Sequence, residues 1–198
     1  MSRTPIVRGT AAIVLASALA GCGINSVPTA EENAKARWAD VQNNYQRRAD
    51  LIPNLVATVK AAGAQEKDIL VEVTQARSAA NSVQVSAADL SDPAKMEQYQ
   101  RVQVAVGVSL QRLLEAYPEL KSQGNYTTLM SQLEGTENRI TIARRDYNGA
   151  VQEYNTKIRT FPDAVGAKIF YGAKPMVPFA ATTPGAETAP TVNFGNAS

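Results

Sequence analysis

The most reactive side chain in this chain is its only cysteine, Cys22. Leu19, Ala20 and Gly21 precede it at the end of an apolar run near the N-terminus. A thiol can serve as a nucleophile, as a metal ligand, as half of a disulfide or as an attachment point for lipid. Because one cysteine cannot form an intramolecular disulfide, an exported form of this chain must rely on its apolar core.

The sequence around Cys22 favours lipid attachment. Residues 1–21 join two arginines to an apolar run that ends in small residues, as secretory signal segments do. The run Leu-Ala-Gly-Cys resembles a bacterial lipoprotein signal, in which cleavage precedes the cysteine and the thiol is acylated. A membrane-spanning helix is one alternative, but it needs about 20 apolar residues and this run has roughly half of that. A buried core cysteine is the other, and it leaves the arginines without a role.

The residue types that are missing restrict enzymatic chemistry. The chain has no histidine, which excludes Ser-His and Cys-His nucleophile pairs, His-ligated zinc and the Glu-x-x-His ligands of di-iron bundles. It also has no Gly-x-x-x-x-Gly-Lys phosphate loop and no EF-hand spacing. A Ser-Lys or carboxylate-only hydrolase remains open, although no residue spacing supports it. We therefore predict a protein that is not an enzyme and that uses no cofactor and no metal.

The charge balance speaks against nucleic acid as a partner. The chain carries 20 basic and 18 acidic residues, and cleavage after residue 21 removes two arginines and no acid. The mature form then has 18 of each sign and is neutral. Nucleic-acid-binding domains usually present a basic surface, so we expect no nucleic-acid partner.

Two groups of charged residues could form a polar site between the first and last predicted helices. In an antiparallel helix pair the two groups would lie level with each other. Three interpretations are open: an ion network that fixes helix register, a solvated charged face, or a site where arginines bind an acidic group. The residues of this candidate interhelical polar cluster are Arg47, Arg48, Asp50, Glu137, Arg139, Arg144 and Asp146.

Apolar residues at three- and four-residue steps predict four amphipathic helices. Helix 1 should begin at a capping box formed by Thr29 and Glu32 and end at Gly63. Pro53 lies inside it, where we expect a kink or a short break because proline removes a backbone hydrogen bond. Helix 2 should end near Ser86.

Prolines delimit the other two helices. Asp92-Pro93 predicts the N-cap and first residue of helix 3, and Pro118 places its end near Tyr117. Helix 4 should begin after residues 123–125 and close at Phe161-Pro162.

These helices predict an all-α fold, an elongated antiparallel four-helix bundle with two long helices (1 and 4), two shorter ones (2 and 3) and an irregular C-terminal tail. Helices 1 and 4 should extend beyond the two shorter helices and form a two-helix stalk next to the membrane. The predicted organisation is a signal peptide at 1–21, a lipidated linker at 22–28, the bundle at 29–162 and a Pro/Gly/Ala/Thr-rich tail at 163–198. Four aromatic residues could dock the tail on the bundle, and a loose polar tail is the alternative: Phe170, Tyr171, Phe179 and Phe194.

Several stretches of the sequence resemble the LemA family over about residues 25–198. They are WADV at 38–41, YQRRADLIPNLV at 45–56, TVK at 58–60, EAYPELK at 115–121, LEGTENRI at 133–140, RRDYN at 144–148 and the Phe-Pro pair at 161–162. The resemblance implies a membrane-associated helical bundle that faces the periplasm or the cell exterior, in a family with no established enzymatic chemistry. The chain departs from the family by its lipoprotein signal in place of a spanning helix, by Gln65 where histidine is frequent, and by Ala-Ala-Gly at 61–63.

Together these observations predict a membrane-anchored envelope protein that acts as a non-catalytic scaffold or adaptor for other proteins. The alternative is a module that binds acidic envelope polymers or lipids through the arginine cluster. We expect lipid anchoring through Cys22 and partners among envelope proteins on the extracytoplasmic side. Gly23, in place of aspartate, resembles the sorting context for the outer membrane in a two-membrane bacterium.

Overall fold

The computed structural model describes residues 25–63, 67–122 and 124–180, and these residues contain helices and no β-strand. The all-α prediction is therefore confirmed. The two long helices have 36 and 34 residues and the two shorter ones 16 and 24. The α-helices are α1 Ser26–Ala61, α2 Lys67–Ser82, α3 Pro93–Ala116, α4 Gly124–Lys157 and α5 Asp163–Ile169, and two short 3-10 helices span Ala87–Ser91 and Pro118–Ser122.

Three predictions lie outside the described residues. The signal segment and Cys22, with the residues just before and after it, precede the described part of the chain. Gln65 falls in the gap between α1 and α2. Phe194 follows the last described residue.

Two helix boundaries follow directly from local sequence. Gly63 has a φ of 88° and its N–H donates to the carbonyl of Lys60, so it ends α1 in the left-handed conformation that glycine tolerates. The Asp92 carboxylate accepts hydrogen bonds from the N–H groups of Ala94 and Lys95 at the start of α3. Both predicted caps are confirmed.

Other predicted boundaries are wrong, and at the start of α1 packing overrides the local signal. The capping box at Thr29 does not form: α1 begins at Ser26, and the Thr29 hydroxyl donates to the carbonyl of Asn25 within the helix. Val27 is buried in the core, which extends the helix by a turn, and Pro28 is tolerated because first-turn N–H groups have no helical partner. The C-terminal end of α4 also differs, because this helix ends at Lys157, before the predicted stop at Phe161-Pro162.

Of the kink or short break expected at Pro53, the break does not occur, because α1 is helical through this residue. Ile52 and Leu55 on either side of it are both buried in one hydrophobic cluster. Pro53 itself is exposed. The packing of the buried face offsets the missing backbone hydrogen bond, and the ring occupies the solvent side. Helix α2 ends at Ser82, four residues before its predicted end.

Long-range packing links α1 with α4, α2 with α3, and α1 with α2 and α5. The buried residues fall into two clusters along α1. The first surrounds Trp38 and Tyr147, and the second surrounds Ile52, Val59 and Leu113. The two clusters meet where Tyr45 and Ile52 lie one above and one below Arg48 on the buried face of α1.

The expected bare stalk of α1 and α4 is instead covered. Leu90 from the first 3-10 helix, Ala167 from α5, and Met176 and Phe179 from the chain after it all join the first cluster. The tail up to residue 180 therefore completes the core at the end where α1 begins.

The segment between α2 and α3 is held by a small charged network. The backbone N–H and hydroxyl of Ser86 both donate to the Asp89 carboxylate, and Lys95 pairs with the same carboxylate. The hydrogen bond from Lys95, followed by those from Ser86, lowers the pKa of Asp89 to about 2. This network positions Leu90 in the core and Val85 beneath Trp38.

Candidate functional site: a polar layer and a docked tail

Arg48 forms a polar layer between the two hydrophobic clusters. Its side chain is only 4% exposed. Its Nη2 donates to the carbonyl oxygen of Gln103 at 2.9 Å and to the Oε1 of the same residue at 2.7 Å, and its Nη1 donates to the Oε1 of Glu137 at 3.2 Å. One guanidinium thus joins α1, α3 and α4, and it also lies 4.9 Å from the ring centroid of Tyr45.

The helical repeat explains why Arg48 is buried while Arg47 and Asp50 are not. Tyr45 and Ile52 lie three residues before and four residues after Arg48, so all three share the buried face. Arg47 and Asp50 are rotated away from this face and are exposed, and Asp50 accepts a hydrogen bond from Gln46 on its own helix. Burial raises the pKa of the Tyr45 hydroxyl, so this ring stays neutral beside the arginine at ordinary pH.

The predicted cluster on α4 is only partly assembled. Glu137 reaches Arg48, but Arg139 is exposed and Asp146 contacts the adjacent Arg145 at 3.5 Å. Of the seven predicted residues, only Arg48 and Glu137 form an ion pair between α1 and α4 in the described part of the chain. The polar site is therefore a single buried arginine with its partners and not a network of seven charges.

Arg144 has a different role from the predicted one. Its guanidinium lies 4.9 Å from the ring centroid of Phe179 and its Nη2 donates to the carbonyl of Ala180 at 3.0 Å. The N–H of Ala180 donates to the Oε1 of Gln100 on α3. Arg144 thus holds the docked tail against α4, and the tail bridges α4 to α3.

Two asparagines on α4 bind the tail through its backbone. The side-chain amide of Asn148 donates to the carbonyl of Phe179 at 3.0 Å and accepts from its N–H at 2.8 Å. Asn155 makes the same two bonds with Met176, at 2.8 and 2.9 Å. Each asparagine therefore satisfies both backbone groups of one tail residue, much as a neighbouring strand would.

Two tyrosines extend this arrangement. The Tyr147 hydroxyl donates to the carbonyl of Val177 and the Tyr154 hydroxyl to that of Lys174. Burial raises the pKa of both hydroxyls, which keeps them protonated and able to donate. We call the four α4 side chains the Tyr-Asn clamp, and they are Tyr147, Asn148, Tyr154 and Asn155.

The spacing of the clamp matches helix to tail. The Tyr-Asn pair recurs after seven residues of α4, which span about 10.5 Å at 1.5 Å per residue. The tail residues bound by each pair, first Lys174 and Met176 and then Val177 and Phe179, are separated by three residues. Three residues of extended chain span about 10 Å. Residue numbers rise along the tail as they fall along α4, so the tail runs antiparallel to the helix. The repeated Tyr-Asn dipeptide is visible in the sequence, yet helical spacing predicts only that the tyrosines are core residues and gives the asparagines no role.

Removing the clamp asparagines is expected to release the tail. Replacing both Asn148 and Asn155 by alanine deletes four hydrogen bonds, and we expect a loss of about 2–4 kcal/mol in the free energy of unfolding at roughly 1 kcal/mol for each bond. The Met176 and Phe179 amides should lose protection in hydrogen exchange, while α2 and α3 keep theirs. Asn138→Ala, on an exposed position of the same helix, is the control. Unchanged protection at residue 176 would show that the asparagines do not hold the tail.

A cleft of about 380 Å³ opens beside the buried arginine. Helices α1, α2 and α3 line it, and its polar side chains include Gln42, Gln46, Arg77 and Asn81. The Nε of Arg77 donates to the carbonyl of Ala49 at 2.7 Å. The amides, arginines and aromatic rings of this lining can bind a polar molecule through hydrogen bonds and ring contacts.

Neither a membrane span nor a metal cluster is found in the described part of the chain. None of its helices combines the length and apolar character needed to cross a bilayer. Within the same residues, no three carboxylate, cysteine or histidine side chains converge on a possible metal position.

The structure thus defines a helical protein whose buried polar side chains bind to one another and to its own backbone. The sequence pattern of the LemA family matches residues 37–194, so the chain belongs to the LemA family. It is also similar to Magnetosome protein MamQ 2 and Magnetosome protein MamQ 1 of Paramagnetospirillum magneticum. Each is 38% identical to it over 53 residues, which cover 27% of this chain and 20% of the relative. The matched region spans only a fifth of the length of those relatives.

Proposed function

We propose that this LemA-family chain is a lipid-anchored cell-envelope protein, built as an antiparallel four-helix bundle, that acts as a non-catalytic scaffold or adaptor. One observation carries the proposal: the buried polar side chains are hydrogen-bonded within the protein, while an apolar surface on α3 is exposed. Among the described residues, every buried side-chain nitrogen and oxygen has a hydrogen-bond partner. The buried side chain of Arg48 is one of these, with bonds to Gln103 and Glu137.

The open surface lies on the outer side of α3. Val104 and Val108 are one helical turn apart and both are exposed. Ion pairs surround them, one between Arg101 and Glu97 on α3 and one between Arg112 and Glu72, which reaches from α3 to α2. An apolar centre with a polar rim is the arrangement of protein-protein interfaces. We call this the α3 surface and propose it as the adaptor face.

Lipid anchoring is proposed from the lipoprotein-like sequence at 19–22 and from membership of the family. An acyl chain contributes about 0.8 kcal/mol of membrane affinity for each buried methylene, and two or more chains make an anchor stable. Intact mass measurement of the protein from cell membranes tests this. We expect loss of residues 1–21 and the added mass of acyl chains on Cys22, and a chain that still carries Met1 would contradict the anchor.

The adaptor role is tested by crosslinking in intact cells. A photoreactive amino acid at Val108 should give one or a few discrete protein adducts that mass spectrometry can identify. The same amino acid at Gln132, an exposed position on α4, is the matched control. No adduct at 108, or the same adducts at both positions, would reject the α3 surface as the adaptor face.

The cleft beside Arg48 favours a second candidate, the binding of acidic envelope polymers. The predicted arginine cluster gives this candidate less support than the cleft does, because Arg144 is engaged with the tail and Arg47 lies outside the cleft. Arg77 lines the cleft and could bind an anionic group. A rise in Tm with purified anionic envelope polymer, lost in Arg77→Gln, would support binding there, and no rise would remove this candidate.

A further inference from the structure

The described chain concentrates exposed apolar side chains around α5. Phe161 is 85% exposed, Ile169 69% and Phe170 67%. Val165 and Tyr171 are exposed as well. Of the nine large apolar residues exposed in the described part of the chain, these five fall within residues 161–171. Single exposed apolar residues are ordinary, but such a cluster marks a surface that contacts another phase or molecule.

The orientation of α5 explains the exposure. Ala167 is buried in the first hydrophobic cluster and holds α5 against α1. Val165 and Ile169, two residues before and after it, are rotated about 200° away and point outward with Lys168. We call the outward set Phe161, Val165, Lys168, Ile169 and Phe170 the α5 surface.

The segment that carries the α5 surface is basic. Residues 157–174 contain four basic residues and one acidic residue, Asp163, and within the described residues only Lys157 of the four forms a salt bridge, to Glu153. On the adjoining turn of α1, Lys35 pairs with both Glu31 and Glu32, which leaves one negative charge there. The exposed apolar side chains therefore lie among lysines and an arginine, the combination found in segments that rest on anionic membranes.

The α5 surface also lies at the end of the molecule where an anchor would attach. Ala167 packs in the same cluster as Val27 and Ala30 in the first turns of α1. Cys22 precedes Ser26 by four residues, and a fully extended chain of four residues spans at most about 14 Å. A lipidated Cys22 would therefore hold this end of the molecule close to the bilayer.

We propose that the α5 surface docks on the anionic lipid surface of the bilayer, with its aromatic and aliphatic side chains in the headgroup region and its basic residues beside lipid phosphates. Aromatic rings are favoured at this depth, and each basic side chain near an anionic surface strengthens adsorption by roughly fivefold. The inference rests on the proposed anchor for its geometry. Its consequence is that anchor and docking surface together fix the orientation of the helices relative to the membrane.

The test uses the full chain, acylated at Cys22 and reconstituted into phosphatidylglycerol/phosphatidylethanolamine vesicles. Phe170→Cys then carries the only free thiol, which is labelled with a fluorophore. Ile142→Cys, at an exposed apolar position on α4, is the matched control. We expect nitroxide on the lipid chains to quench the fluorophore at 170, and iodide in the buffer to quench the one at 142. Lys168→Glu in the 170 variant should reduce the lipid quenching several-fold.

The outcomes separate this inference from the anchor. A 170 probe quenched by iodide, in a protein that floats with the vesicles, overturns the docking and leaves the anchor intact. A probe protected from both quenchers is covered by protein, either another segment of this chain or a second copy, and also overturns it. If Cys22 proves unmodified, the anchor fails, and the docking stands only if a chain with both Cys22→Ser and Phe170→Cys still shows lipid quenching.

Discussion

Replacing Trp38 by alanine is expected to lower the free energy of unfolding by about 3–5 kcal/mol, the range for truncating a large buried aromatic side chain. Trp38 is 1% exposed and its ring contacts three others, those of Tyr99, Tyr147 and Phe179, with centroids 5.3 to 5.7 Å away. These rings come from α3, α4 and the tail. The variant therefore loses ring contacts to three elements that pack around the first cluster.

The indole N–H adds a polar contribution that a second variant isolates. It donates to the carbonyl of Val85 at 3.0 Å, and the side chain of Gln42 donates to the same carbonyl at 3.1 Å. Trp38→Phe keeps most of the ring contacts and leaves that carbonyl with one donor, so we expect a smaller loss of about 1–2 kcal/mol.

Chemical denaturation followed by circular dichroism measures the free energy of unfolding of both variants. In thermal unfolding, a change of 1 kcal/mol moves the Tm of a domain of this size by about 2–4 °C, so the Tm of Trp38→Ala should be roughly 10 °C lower. Phe170→Ala, an aromatic truncation on the exposed α5 surface, is the control and should change stability by less than about 0.5 kcal/mol. Equal losses for Trp38→Ala and Phe170→Ala would mean that the first cluster is not the core of this end of the molecule.

Replacing Arg48 by alanine should lower the free energy of unfolding by about 3 kcal/mol, because it removes the donor to a buried side-chain oxygen and breaks a partly buried ion pair. The carbonyl and side-chain oxygens of Gln103 both lose their bond from the guanidinium. A buried group left unsatisfied costs about 1–3 kcal/mol, and breaking a buried ion pair costs about 3–5 kcal/mol. The Glu137 side chain is 44% exposed and can turn to water, which places the expected loss at the lower end of that range.

The neighbouring arginine is a matched control for this variant. Arg47→Ala removes the same charge from the adjacent exposed position, so we expect a change below about 0.5 kcal/mol in thermal or chemical unfolding. Glu137→Gln should cost about 1 kcal/mol or less because its bond to Arg48 is half exposed to water. If Arg48→Ala and Arg47→Ala unfold at the same temperature, the arginine layer does not stabilise the packing of the helices.

These two residues mark the two ways in which the chain joins its helices. Trp38 does so by apolar contact within one cluster, and Arg48 does so by hydrogen bonds at the boundary between clusters. Arg48 also restricts register, since a shift of α1 by one turn along α3 would move the guanidinium about 5 Å from Gln103. The adaptor proposal depends on this rigidity, because a surface that binds other proteins must be presented in a fixed geometry.

The sequence alone determined the helices and the family. Apolar residues at helical spacing predicted four amphipathic helices, two long and two shorter, Asp92-Pro93 predicted the start of α3, and Gly63 predicted the end of α1. These features follow from local backbone chemistry, because caps, proline and glycine act on their own turn and periodic burial follows from the helical repeat. The stretches from residue 38 onward that resemble the LemA family led to the membership that the family match confirms.

Only the tertiary structure decided which side chains meet. It extended α1 past Thr29 to Ser26, carried it through Pro53, reduced the predicted charge network to the pair of Arg48 and Glu137, and turned Arg144 toward the tail. It also showed that the repeated Tyr-Asn pairs bind residues 174–180. Such contacts depend on how far each helix is rotated about its axis and shifted along it. Those two quantities are set by packing over the whole core, which no local stretch of sequence contains.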